Sequence, residues 1–202
     1  MIFPGGYVFL FAHGNWRSAA TLLLVCVTVS CVWGCGKGER KNSESANSRQ
    51  PVAMTGEAFL PETWPPGFAL VDSIRLYGTG EQPARDGTIF DYIDGGGVVF
   101  IEHGMKTVTH AVLANGDGIN ITVDIYDFDT AQHASAAFAD EMICPPGFTE
   151  CDIGESCKSY AYVPDYLIYV LKSRSIVFCS TTDDRIADTV MDIARTVTTA
   201  IP

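Results

Sequence analysis

Two alternating runs joined by a glycine-rich turn constrain this chain more than any other feature. The first, Lys106-Thr107-Val108-Thr109-His110-Ala111-Val112-Leu113-Ala114, leads into Asn115-Gly116-Asp117-Gly118. The second, Ile119-Asn120-Ile121-Thr122-Val123-Asp124-Ile125-Tyr126, alternates strictly between apolar and polar residues. A period of two sends successive side chains to opposite faces of a strand, and Asn-Gly and Asp-Gly pairs accept the positive φ of tight hairpin turns. The segment therefore reads as an antiparallel hairpin.

The flanking segments extend the hairpin into a mixed domain. Upstream, Trp64-Pro65-Pro66-Gly67 leads into an extended stretch over 68–77, and Asp86-Gly87-Thr88 supplies helix-start residues before Ile89, Phe90 and Ile93. Downstream, Asp129-Thr130-Ala131-Gln132 has the Asp-x-x-Gln form of a helix cap, ahead of a stripe of Ala134, Ala137, Phe138 and Met142. Residues 157–163, 166–172 and 175–180 read as the three strands of a meander, with turns at Pro164-Asp165 and Ser173-Arg174. Ile186, Val190, Ile193 and Val197 form one apolar stripe of a closing helix, capped by Asp183 or Asp184. The expected class is α+β: an antiparallel sheet, hairpin plus meander, with about three helices packed on it.

The N-terminal end carries an address. Arg17 precedes the apolar run from Ala19 to Ser30, which closes in Val32-Trp33-Gly34-Cys35-Gly36 before the chain turns polar at Lys37, Glu39, Arg40 and Lys41. A basic residue, a short apolar core and a small residue at its end describe a secretory signal peptide. Gly34-Cys35 resembles the lipobox of bacterial lipoproteins, which implies a lipidated Cys35 as the mature N-terminus. Two other readings stand beside it. One is an uncleaved anchor, although the run from Ala19 to Gly34 falls short of the roughly 20 apolar residues that span a bilayer. The other is cleavage near Ser30-Cys31, releasing a soluble secreted protein. The expected organisation is a signal segment with lipobox at 1–35, a flexible polar linker at 36–56 and a single domain at 57–202.

Charge narrows the partners. Over 57–202 there are 22 Asp and Glu against 8 Lys and Arg, a formal balance of −14. Such a surface repels phosphate backbones, so no nucleic-acid partner is expected. Nor does it favour anionic headgroups, so the membrane link is expected to run through the lipid anchor. Cys144, Cys151, Cys157 and Cys179 lie in the body. In an oxidising compartment one disulfide is expected within Cys144, Cys151 and Cys157, Cys151 pairing with either neighbour. Cys179, inside Ile176-Val177-Phe178-Cys179, reads as a buried thiol. No Cys-x-x-Cys pair points to a metal, and no cofactor is expected.

The one unusual local sequence is Phe90-Asp91-Tyr92-Ile93-Asp94-Gly95-Gly96-Gly97-Val98-Val99-Phe100-Ile101-Glu102-His103-Gly104-Met105. Its Tyr92-Ile93-Asp94-Gly95-Gly96 core, with Val123-Asp124-Ile125-Tyr126-Asp127-Phe128 and an Ala-rich stretch over 134–138, resembles an uncharacterised family of bacterial secreted proteins and lipoproteins. That family is marked by Tyr-Ile-Asp-Gly-Gly-Ala-Glu; here Gly97 and Val98 stand in place of its Ala and Glu. The likeness spans roughly 60–201 and implies an envelope location, with no activity attached. The second half is also similar to the PsbP-type fold, which implies a binding or assembly module more often than an enzyme.

Read from the residues, Gly95 and Gly96 suit a tight turn at a packed helix end, with Gly96 at positive φ and Asp94 accepting backbone N–H bonds beside them. A phosphate cradle would use the same glycines, but neither Gly-x-x-x-x-Gly-Lys nor Gly-x-Gly-x-x-Gly occurs there, and the flanking acids repel phosphate. A cation or small-ligand site would recruit Asp91, Asp94, Glu102 and His103, the first two sharing a face if the segment is one helix. Asp124, Asp127 and Asp129 form a second acidic group without the glycine and distal Glu of a calcium loop, and capping accounts for Asp127 and Asp129. His110 and His133 read as isolated, exposed polar residues. No Gly-x-Ser-x-Gly nucleophile signature is present.

The function expected is that of a non-enzymatic cell-envelope lipoprotein, a binding or assembly module for an envelope protein or a small molecule. The competing expectation is a metal- or carboxylate-dependent hydrolase built on Asp91, Asp94, Glu102 and His103. Geometry separates them. A hydrolase gathers those four side chains in a water-accessible cleft; a module disperses them and presents an apolar or aromatic surface.

Overall fold

A computed structural model describes residues 55–146 and 148–202. The signal segment, the lipobox with Cys35 and nearly all of the expected linker lie outside the described residues. Among the described residues no helix is long and apolar enough to cross a membrane.

The alternating runs become the long strands β3 (Met105–Asn115) and β4 (Asn120–Phe128). The turn between them closes through Asn115, whose side-chain oxygen accepts the N–H groups of Asp117 and Ile119, while Gly118 takes φ +78°. Short strands β1 (Phe68–Leu70) and β2 (Arg75–Tyr77) both pair with the outer edge of β3, so the expected single stretch over 68–77 is split in two. The meander supplies β6 (Ser156–Tyr162), β7 (Asp165–Lys172) and β8 (Ser175–Thr181), with the two-residue β5 (Thr149–Glu150) on its far edge. All pairings are antiparallel, and the main path runs β1-β3-β4-β8-β7-β6-β5. The class is α+β.

Central strands β4 and β8 are covered on both faces. Odd-numbered Ile121, Val123 and Ile125 meet Ile168, Val170, Val177 and Cys179 under the closing helix α4 (Ala187–Ala200). That helix buries Val190, Ile193, Ala194 and Val197, the stripe read from the sequence; each such side chain contributes about 1.5–3 kcal/mol of apolar burial. Asp183 caps the 3-10 turn Asp184–Ile186 that leads into it by accepting from the Arg185 N–H. The first described turn, Gly56–Phe59, packs here too, with Phe59 in the core. Gly56, placed in the expected linker, is buried, and a Cβ there would stand 2.6 Å from Thr109 Oγ1.

The opposite face carries three helices, α1 (Ile89–Tyr92), α2 (Gly97–Glu102) and α3 (Ala131–Ala139). Beneath them lies a second core that includes Ile89, Val108, Tyr126, Phe128, Phe138 and Ile176. The cap of α3 is Thr130, whose hydroxyl accepts the His133 N–H at 3.1 Å, in place of the expected Asp129. Asp129 is drawn instead to the His133 ring, and the charge-assisted bond wins over the cap.

Candidate functional site

The polar face of β4 is not left to water. Asp124 points into the helical layer with its side chain 1% exposed. Three donors converge on its carboxylate: the Tyr92 hydroxyl at 2.6 Å, His110 Nδ1 at 2.7 Å and the Tyr126 hydroxyl at 3.2 Å. His110 is the cross-strand partner of Asp124 on β3, which is why the pair meets. Tyr92 comes from the last turn of α1, is stacked on Tyr77 at 5.4 Å and meets the His110 ring at 4.4 Å. Burial, reinforced by the Asp124 charge, holds the Tyr126 phenol protonated well beyond its ordinary range. A buried carboxylate needs this many donors, since each unmet bond costs about 1–3 kcal/mol.

His110 is therefore neither isolated nor exposed, as its sequence context suggested; its side chain is 18% exposed and tied to a buried acid. His133 likewise pairs with Asp129 at 2.6 Å, and His103 with Asp140 at 2.8 Å. The His133 and His103 bonds hold the Asp129 and Asp140 carboxyls below the usual carboxylate range. Only the register of the hairpin reveals the His110–Asp124 pair, because the two lie fourteen residues apart in the chain.

The four residues of the hydrolase expectation serve separate local ends. Asp91 accepts the Thr88 N–H at 2.7 Å and its hydroxyl at 2.9 Å, a capping box at the start of α1 that lowers its pKa. Among the described residues Asp94 accepts only the neighbouring Gly95 N–H, at 3.0 Å, on an exposed turn. His103 joins α2 to the end of α3 through Asp140, and Glu102 is exposed. The helix is interrupted between Tyr92 and Gly97, so Asp91 and Asp94 do not share a helical face. Among the described residues no group of three or more His, Cys, Asp or Glu side chains is placed to hold a metal ion.

The glycines also differ from expectation. Gly96 has φ −67°, an ordinary right-handed conformation, and caps α2; neither Gly95 nor Gly96 has a positive φ. Space, not dihedral freedom, is what matters, and it matters at Gly97. A Cβ there would stand 2.9 Å from Ile89 Cγ2 and 3.3 Å from Ile89 Cγ1. The second acidic group divides likewise. Asp127 lies on the opposite face from Asp124, buried, accepting the Ser175 hydroxyl at 2.7 Å and the Gly56 N–H instead of capping α3. Burial pushes its carboxyl above the ordinary range, opposed by that hydroxyl.

Cys151 and Cys157 form the disulfide, while Cys144 and Cys179 are buried thiols whose pKa values burial raises. Beyond α3 the helical face ends in a row of rings. Phe178 meets Tyr169 at 4.7 Å, Phe148 meets Tyr169 at 5.5 Å and Tyr160 at 5.2 Å, and Tyr160 lies near-parallel to Tyr162 at 6.1 Å. The row runs from a buried Phe178 to Tyr162, 65% exposed, and Val163 next to it in the chain is 77% exposed. Separately, a cleft of about 350 Å³ lies between the 79–82 loop and Phe90, Ile101, Met105 and Lys106.

Comparison of the chain with protein-family models, with curated proteins and with solved structures finds no match.

Proposed function

We propose that the chain is a non-enzymatic cell-envelope lipoprotein whose domain binds or assembles with an envelope component. Cys35 carries the lipid and the polar segment behind it holds the domain away from the membrane. The observation that carries the binding reading is the aromatic row ending in exposed Tyr162, next to exposed Val163, together with a dispersed set of Asp91, Asp94, Glu102 and His103. Tyrosine rings offer large contact area at low entropic cost, and contiguous exposed apolar surface marks interaction sites. The Asp124 cluster supports the same reading as a structural clamp. It spends its hydrogen-bonding capacity inside the protein, fixing α1 to the sheet.

Two measurements test the proposal. Cys35→Ala should move the protein from membranes to the soluble fraction; a variant that stays in membranes with its N-terminal run intact contradicts the lipid anchor. Native mass spectrometry of protein purified from its own host should show a retained ligand or partner, and a chain that carries none contradicts the binding reading.

A further inference from the structure

We infer that the cleft between the 79–82 loop and the glycine-rich segment is a binding site for an apolar α-amino acid in its zwitterionic form. The site is separate from the aromatic row, and none of Asp91, Asp94, Glu102 and His103 lines it. Its volume, about 350 Å³, falls within the range of small-molecule sites, roughly 300–1,000 Å³. Three elements supply an apolar floor: Phe90 from α1, Ile101 from α2 and Met105 from the first position of β3. The cleft is a built feature. The Thr79 hydroxyl accepts the Gln82 N–H at 3.0 Å and holds the loop in a turn. A Cβ on Gly80 would stand 3.2 Å from Phe90 Cε2, and one on Gly97 3.4 Å from Phe90 Cδ1. Loop and helix thus close on opposite edges of the ring, and Phe90 still remains 43% exposed.

Two charges of opposite sign line the same cleft, Lys106 and Glu81, both exposed. Lys106 Nζ stands 4.0 Å from Asp129 Oδ2, while Asp129 is already bonded to the His133 ring at 2.6 Å. That separation is well beyond the roughly 2.7–2.9 Å of a charge-assisted bond. The ammonium carries three donors and can take a carboxylate from outside, and Glu81 can accept from an ammonium. Net charge decides between the ligand classes. The balance of −14 over 57–202 repels a free anion, and Lys106 repels a simple amine at the cleft itself. A zwitterion carries no net charge, meets both groups and lays its side chain on the floor. Phe90 offers an exposed ring and Met105 a polarisable sulfur, both suited to an aromatic side chain.

The test uses the full chain and L-phenylalanine in calorimetric titration, beside 3-phenylpropionate, which lacks the ammonium, and phenethylamine, which lacks the carboxylate. One saturable site for L-phenylalanine is expected, with both analogues at least tenfold weaker. Lys106→Met and Glu81→Gln should each weaken L-phenylalanine at least tenfold, with unchanged melting curves. Lys172→Met removes the same charge from a lysine outside the cleft, 3.9 Å from Glu155, and should leave the affinity unchanged. So should Tyr160→Ala with Tyr162→Ala. Absence of saturable binding overturns the inference, as does either analogue binding as tightly as L-phenylalanine, or wild-type affinity in Lys106→Met. Equal loss in Lys172→Met would reduce the effect to overall charge, and loss with the tyrosine changes would move the site to the aromatic row; both overturn it. The two analogues decide the matter on the unaltered chain even where a variant fails to fold.

Discussion

Tyr92 donates its hydroxyl to Asp124 at 2.6 Å, joining the glycine-rich segment to the centre of the sheet. The segments Tyr92–Gly96 and Val123–Phe128 are thus joined by that hydrogen bond. Tyr92→Phe keeps both ring contacts and removes only the hydroxyl. It should lower unfolding stability by about 1–3 kcal/mol, and an Asp124→Asn double-mutant cycle should show strong coupling. Denaturation that leaves Tyr92→Phe unchanged would show that the bond contributes nothing.

Gly97 and Gly95 should respond in opposite ways. Gly97→Ala drives a Cβ to 2.9 Å from Ile89, a fully buried side chain with no room to retreat, and overpacking of this kind costs about 1–3 kcal/mol. Gly95→Ala meets nothing within 4 Å and should leave the melting temperature unchanged or slightly raised. A tolerated Gly97→Ala would mean that α1 and α2 are less tightly apposed than the structure has them.

The general class was legible in the sequence because period and turn chemistry are local. The β3–β4 hairpin, the meander and the α4 stripe all follow from residues within one element. The site was not, because its bonds depend on register and on which face is covered. Strict alternation in β4 looked like one wet face and one dry face; Tyr92 and the helices above it turn the wet face into a second core. Gly96 misled for a different reason. A glycine run suggests dihedral need, whereas Gly97 answers to the bulk of Ile89. His110 looked isolated because its partner arrives from the next strand.

The disulfide closes a short loop, with Cys151 and Cys157 six residues apart. Loop-closure entropy puts its contribution at about 2 kcal/mol. Non-reducing peptide mapping should recover that pair alone from the body, with Cys144 and Cys179 unreactive to alkylation until the protein unfolds. A bridge to Cys179 would contradict the placement of β8.

Acid should expose opposing carboxylates. The folded pKa values of Asp129 and Asp140 are lowered by their histidines, so their stabilisation is present above the ordinary carboxylate pKa of about 3.9. It is lost as pH falls through their lower folded values. Asp127 is raised by burial, so its charge opposes folding at neutral pH and its protonation favours the native state as pH falls. Asp127→Asn should therefore remove the stabilisation gained as pH falls from the raised folded value of Asp127 to the ordinary carboxylate value of about 3.9, read as melting temperature against pH. A profile parallel to wild type would mean that Asp127 titrates as it does unfolded.

Whether the domain binds or catalyses is decided most directly by comparing two sets of variants in native mass spectrometry of protein from its own host. One set is Tyr160→Ala with Tyr162→Ala; the other is Asp91→Asn, Asp94→Asn, Glu102→Gln and His103→Gln. A companion lost from the tyrosine variant and retained by the second set is the result expected. A bound ion or small molecule that survives the tyrosine changes and disappears with the second set would contradict the account and place the function on the glycine-rich segment.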